Sequence, residues 1–295
     1  VEGHLPLDDS IKLSKKIDSE SVALKNFSYL ELSPEVNFIN IQDYAKIKKA
    51  GSGGFGKVYK IVDKKTNEIF SAKILKYEFY ALSEIEQIYF SREVNLLSEL
   101  KHESIIKFIG YSQVNFKNKL KPLYIMEYAP NKSLKKVLSS ERQGLSLPEW
   151  NNTKKFINIY GIAFALKHMH SLDVLHRDLK TDNVMLDEYL YPKIIDFGFA
   201  KKNLQKLDNL KSEVLGTPAY VAPEIWAEDL HIKASDVYAF AMIFFEILTC
   251  EIPLAKFTNI QQIMIAVAEK EYRPYINNDV PDCYRKLIEA CWSQN

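Results

Sequence analysis

The stretch GSGGFGKV, residues 51–58, places Gly51, Gly53, Gly54 and Gly56 close together. Glycines so spaced let backbone amides come up against phosphate oxygens that side chains would hold away. Three phosphate loops share part of this pattern, and the residues that follow exclude two. In G-x-x-x-x-G-K-[ST] the last hydroxyl binds magnesium, and Val58 has no hydroxyl. The G-x-G-x-x-G of dinucleotide-binding folds opens a helix. Here Val58 to Asp63, a polar break over residues 64–68 and the apolar run Ile69 to Leu75 read as strand, turn, strand. A glycine turn inside an antiparallel hairpin, folded over nucleotide phosphates, fits, and so does a plain hairpin tip. The loop alone leaves both open.

The choice is made downstream by HRDLKTDN, residues 176–183, followed thirteen residues after Asn183 by Asp196-Phe197-Gly198. In this order and spacing, behind the glycine loop, the chain resembles a eukaryotic protein kinase catalytic domain over about residues 43–295. The resemblance implies ATP and Mg2+ as cofactors, with Gly51, Ser52, Gly53, Gly54, Phe55 and Gly56 over the phosphates. It implies that Lys73 reaches the α- and β-phosphates and that a carboxylate of the small-lobe helix holds it. Glu93 is the expected partner among Glu84, Glu86, Glu93 and Glu99, because it lies nine residues before His102 and four before Leu97. Asp178 resembles the catalytic base, and Lys180 the residue that steadies the transferred phosphate. Asn183 and Asp196 offer the oxygen ligands a hard cation prefers. His176 and Phe197 are expected to pack, in a spine with Leu97, rather than to react.

The family's hinge is matched by LYIMEYAP, residues 123–130. The Glu127 carbonyl and the Ala129 amide and carbonyl are thereby expected to bind the adenine edge. Met126 stands as gatekeeper, and Val58, Ala72 and Met185 sandwich the ring. Lys180 and the run Gly216-Thr217-Pro218-Ala219-Tyr220 resemble the serine/threonine pattern, and Thr217 is expected to hydrogen-bond toward Asp178 and Lys180. The surroundings of Asp236, Glu246 and Trp292 resemble the tyrosine-kinase-like branch. Arg177 before Asp178 implies a switch by a phosphate in the activation segment, where Ser212 is the one hydroxyl between Asp196 and Gly216. Two other readings stand beside an active kinase. A pseudokinase scaffold is opposed by the presence of Lys73, Asp178, Asn183 and Asp196 together, and a dual-specificity enzyme is opposed only by Lys180 and the Thr217 pattern. In the family Glu224 pairs with an arginine beyond the Cys-Trp pair, so Glu224 is expected to lack that partner in this chain.

The elements that must position these groups are legible as an α+β, bilobal fold. A small antiparallel β lobe of about residues 43–126 carries one main helix, which runs from Ser83 to Leu100 with Ser83 and Glu86 spaced as a capping box. A hinge at about 127–131 leads to a larger, mostly α-helical lobe over 132–295, with helices expected at 150–170, 235–249, 260–270 and 284–292. A cleft between two such lobes is a usual place for a ligand. Residues 1–42 read as a flanking segment of unknown role, and the chain as a piece of a longer protein, cut short at its C-terminal end. With 39 basic against 38 acidic residues, composition gives no reason to expect nucleic acid as partner. Cys250, Cys283 and Cys291, an odd number without C-x-x-C spacing, read as reduced thiols of the cytoplasm. The apolar run at 237–245 is too short to cross a bilayer and is expected as a buried helix. The expected partners are protein substrates and an upstream kinase or receptor.

Overall fold

A computed structural model of the chain describes residues 32–52, 56–202 and 217–294. Gly53, Gly54, Phe55, Ser212 and Gly216, and most of the flanking segment, lie outside the described residues. The chain divides into two compact units, one taking in the described residues up to Ser98 with Gly110–Ile125, the other Glu99–Ile109 with Met126 onward.

The first unit is a sheet with a helix. Strands β1 (Tyr44–Ser52), β2 (Gly56–Asp63) and β3 (Ile69–Leu75) pair antiparallel, and β4 (Phe108–Ser112) and β5 (Leu123–Glu127) complete the order β1-β2-β3-β5-β4. The break expected between β2 and β3 is a turn built by Asp63, whose Oδ1 accepts the amides of Lys65 at 2.7 Å and Thr66 at 3.0 Å. Those bonds hold the Asp63 carboxyl below its usual range. They also let Asn67 take a φ of 61°, a conformation asparagine tolerates.

Helix α1 (Glu84–Glu99) begins as the sequence expects. Ser83 N–H and Oγ donate to Glu86 Oε2 at 2.9 and 2.8 Å, and the Glu86 amide returns to Ser83 Oγ at 3.4 Å. Its buried stripe is Phe90, Glu93, Val94 and Leu97, at the i, i+3, i+4, i+7 spacing of one helix face. A carboxylate in that stripe requires a partner, because an unpaired buried charge is far costlier than the packing around it.

The second unit is mostly helical. It holds α2 (Leu134–Arg142), α3 (Asn152–Ser171), α4 (Pro223–Glu228), α5 (Lys233–Thr249), α6 (Ile260–Met264) and α7 (Asp282–Cys291). Two small antiparallel pairs accompany them: β6 (Val174–Leu175) with β9 (Lys201–Lys202), and β7 (Val184–Leu186) with β8 (Pro192–Ile194). The helix expected over 260–270 is α-helical only in its first half and passes into a π-turn over Ile265–Glu269. α5 is buried nearly all round, from Ser235 to Ile247, which is why its sequence is so apolar. Two acids, Asp236 and Glu246, are buried in it at 3% and 2% exposure. No helix among the described residues is long and apolar enough to cross a membrane.

Candidate active site

In the first unit, Lys73 stands on β3 opposite Val58 of β2. Its Nζ donates to Glu93 Oε1 at 2.7 Å and Oε2 at 2.8 Å, a bidentate ion pair in which both groups are largely removed from water. Nζ also lies 5.7 Å from the centre of the Tyr124 ring. Of the glutamates on α1, only Glu93 lies on the buried stripe; Glu86 serves the helix cap and Glu99 pairs with Lys202.

The described loop glycines differ in why they are glycine. A Cβ on Gly56 would lie 2.5 Å from the Ile74 carbonyl oxygen, so the approach of β2 to β3 forbids any side chain there. A Cβ on Gly51 would meet nothing within 4 Å, so the protein itself leaves that position open. Ala72 is fully buried and Val58 is half-buried.

In the second unit the loop 176–183 gathers its polar groups on Asp178. Lys180 Nζ donates to Asp178 Oδ1 at 2.9 Å and Oδ2 at 2.7 Å, and Asn183 Nδ2 donates to Oδ2 at 3.0 Å and to the Asp178 carbonyl at 2.8 Å. Both bonds of Asn183 run from its nitrogen, which fixes the amide and leaves Oδ1 as its acceptor. The His176 ring sits 5.1 Å from Phe197, itself fully buried. His176 Nδ1 accepts the Asp178 amide at 3.3 Å, so Nε2 carries the proton and donates to the Ile195 carbonyl at 3.2 Å. With both nitrogens committed, His176 is a packing and positioning residue. The Ile195 amide donates in turn to the Asn183 carbonyl at 2.9 Å, which ties the strand leading to Asp196 to the loop.

Two backbone positions here are strained. Arg177 has φ of 66° and Asp196 φ of 68°, values that cost a non-glycine residue about 1–3 kcal/mol and persist only where neighbours over-determine them. For Arg177 the neighbour is Asp236, a residue for which the sequence suggested no site role. Asp236 Oδ2 accepts the His176 amide at 2.8 Å and His170 Nε2 at 3.0 Å, and Oδ1 accepts the Arg177 amide at 3.0 Å. Glu246, the other acid of α5, accepts Tyr220 Oη at 2.7 Å and Thr181 Oγ1 at 3.1 Å and lies 3.4 Å from Arg142. Burial, then Glu246, raise the Tyr220 hydroxyl well above its ordinary pKa, so it stays a donor. The available signal for both acids was a carboxylate inside an otherwise apolar helix, which must have partners.

One expectation differs from the structure. Among the described residues no hydrogen bond joins Thr217 to Asp178 or Lys180; the Asp178 carboxylate accepts from Lys180 and Asn183. Thr217 instead lines a cavity of about 20 Å³ with Arg177, Asp178, Tyr220 and His231, room for about one water. His231 is pushed down to about 4, by burial first and then by Arg177, and is neutral. Glu224, for which no arginine partner is expected, pairs with none among the described residues and accepts a hydrogen bond from Ser235 Oγ of α5 at 2.6 Å.

At the expected hinge, Met126 and Ala129 are buried. The Glu127 carboxylate accepts the Lys107 amide at 2.8 Å and pairs with Lys193 at 3.2 Å, and its own amide donates to the Lys107 carbonyl at 2.9 Å. Met185, half-buried on β7, bridges to Ser133.

An α+β fold with a glycine hairpin, a buried lysine–glutamate pair and a loop centred on Asp178 defines a class of nucleotide-dependent phosphotransferases. Residues 44–295 match the protein kinase domain, and the chain belongs to that family. A probable serine/threonine-protein kinase of Dictyostelium discoideum is 30% identical over 271 residues, 90% of this chain and 19% of that protein. A dual specificity protein kinase of the same organism is 30% identical over 83% of this chain and 46% of its own length. A G-type lectin S-receptor-like serine/threonine-protein kinase of Arabidopsis thaliana is 34% identical over 82% of this chain and 27% of its own length. The chain thus spans less than half the length of these relatives. A protein kinase domain uses ATP and a divalent metal.

Proposed function

We propose that this chain transfers the γ-phosphate of ATP to serine and threonine hydroxyls of protein substrates in the cytoplasm, with Mg2+ as the metal. The observation that carries the reading is the bidentate Lys73–Glu93 pair, a cation fixed by a buried partner rather than left to sample solvent. Phosphoryl transfer needs positioning and charge neutralisation more than covalent chemistry, since the transferred group is anionic throughout. Lys73, oriented by Glu93, binds the α- and β-phosphates, and Gly51 leaves room for them. The Glu127 carbonyl and the Ala129 backbone hold adenine, with Val58, Ala72, Met126 and Met185 against the ring. The acceptor oxygen bonds to the γ-phosphorus as the bond to the leaving diphosphate breaks, and Asp178 takes the hydroxyl proton. Lys180, held beside the base by its bonds to both Asp178 oxygens, steadies the transferred phosphate.

The residues suit a hard cation. Asn183 keeps its amide oxygen as acceptor and Asp196 supplies a carboxylate, and magnesium prefers oxygen. When bound, the metal neutralises phosphate charge and orients the transferring group. A phosphate on Ser212 pairing with Arg177 is the regulatory step of this reading, as the arginine next to the base supports. Transfer to tyrosine as well is the second reading, favoured by the dual specificity relative. The test is intact-mass analysis after incubation with magnesium and ATP, beside an Asp178→Asn control, with modified residues mapped. Added phosphate on serine or threonine in the wild type alone is the expected result. ATP binding without any gain in mass would refute the activity.

A further inference from the structure

The described residues that precede the kinase match are packed against the helix that carries Glu93. The Ser33 amide donates to Asn95 Oδ1 of α1 at 2.8 Å. The Ile39 amide donates to the Tyr111 carbonyl at 2.9 Å, and the Tyr111 amide to the Asn37 carbonyl at 2.8 Å, so this segment runs parallel to β4 at the sheet edge. Val36 and Ile41 are buried, at 6% and 1% exposure. Gly110 shows how tight the fit is: a Cβ there would lie 2.3 Å from Ile39 Cγ2 and 3.0 Å from the Asn37 carbonyl oxygen. An aromatic chain continues from it, with Phe38 to Tyr111 at 5.5 Å, Tyr111 to Phe90 of α1 at 6.3 Å and Phe90 to Tyr124 at 6.2 Å. Tyr124 is the ring beneath Lys73.

We infer that residues 33–41 are a positioning clamp for α1, holding Glu93 in register with Lys73; the inference rests on the phosphotransfer reading above. Glu93 and Asn95 are two residues apart, so they point to nearly opposite sides of the helix, about 200° apart. Lys73 therefore grips one side of α1 and Ser33 the other. A rotation of the helix by a single residue breaks both contacts, so the two polar grips add to the resistance of the buried Phe90, Val94 and Leu97. Every contact named lies within the first unit.

The test uses the full 295-residue chain. Ser33→Pro removes the amide donor to Asn95, and Ser33→Ala keeps it. The readouts are kcat and KM for ATP, together with hydrogen exchange in peptides covering α1 and, as reference, α5. Loss of one hydrogen bond predicts that Ser33→Pro lowers kcat about threefold to tenfold and speeds exchange in α1 by a similar factor. Exchange in α5 stays unchanged, and Ser33→Ala behaves as wild type in both readouts. Asn95→Ala, on the other side of the bond, has at least as large an effect, and the two substitutions combined fall short of the sum of their separate effects, since they share one interaction. The clamp is refuted if Ser33→Pro and Ser33→Ala are alike, if exchange rises equally in α1 and α5, or if the two substitutions add. Should the wild type transfer no phosphate at all, the functional reading fails, and the exchange comparison by itself still decides whether the segment holds α1.

Discussion

Asp236 offers the sharpest test of how the site is held. Asp236→Ala leaves the His176 and Arg177 amides without their acceptor, inside a region where Asp236 is 3% exposed. Each orphaned buried amide costs about 1–3 kcal/mol. Relaxation of Arg177 from its φ of 66° returns part of this, about 1–3 kcal/mol. The net loss is about 1–3 kcal/mol, which for a domain of this size lowers Tm by at least about 2 °C. Activity should fall further than stability implies, because the relaxing residue is bonded directly to Asp178, and a misplacement of about 1 Å costs about a hundredfold. Asp236→Asn keeps one oxygen and should fall between wild type and alanine. The assay is kcat for phosphate transfer alongside a thermal melt, both well below Tm for the kinetics. If folded Asp236→Ala keeps kcat within about threefold of wild type, the argument that buried bonds to α5 hold the loop fails, whatever happens to Tm.

Other outcomes follow from the same geometry. Gly56→Ala should destabilise by about 1–3 kcal/mol, since its Cβ would meet the Ile74 carbonyl, whereas Gly51→Ala should leave Tm unchanged and raise KM for ATP; melts and ATP titrations of the pair separate packing from ligand approach. Tyr111 Oη is buried with no hydrogen-bond partner among the described residues, and burial raises its pKa, so Tyr111→Phe should be at least as stable as wild type in denaturant titration; a clear loss would mean the hydroxyl has a partner. His231, held at about 4 against an ordinary 6.5, binds its proton more readily in the unfolded chain, so its contribution to stability is full above about pH 6.5 and is lost as pH falls toward 4. Burial and Arg177 lower this histidine while Asp229 and Asp236 raise it, and a His231→Leu chain should show a shallower loss over that interval in melts at stepped pH.

What could be read directly were features whose parts are close along the chain. The capping box of α1 spans Ser83 to Glu86, and the break between β2 and β3 falls at the polar run over residues 64–68. Chain geometry brings such groups together whatever surrounds them, so residue type and spacing suffice. The burial of α5 was legible for a related reason, because only a helix wrapped by other elements can be so uniformly apolar.

Contacts that join distant parts of the chain were decided by tertiary structure alone. Asp236 meets His176 and Arg177 from sixty and fifty-nine residues away, and the sequence of α5 shows two acids without saying what they bind. Pattern points Thr217 at Asp178, yet the packed fold gives Asp178 the donors Lys180 and Asn183 and leaves Thr217 on the wall of a small cavity. Ser235 became the partner of Glu224, and Ser33 that of Asn95, sixty-two residues on. A motif states which groups are present, whereas the partner of a buried polar group depends on which donors the packed fold carries to within about 3 Å of it.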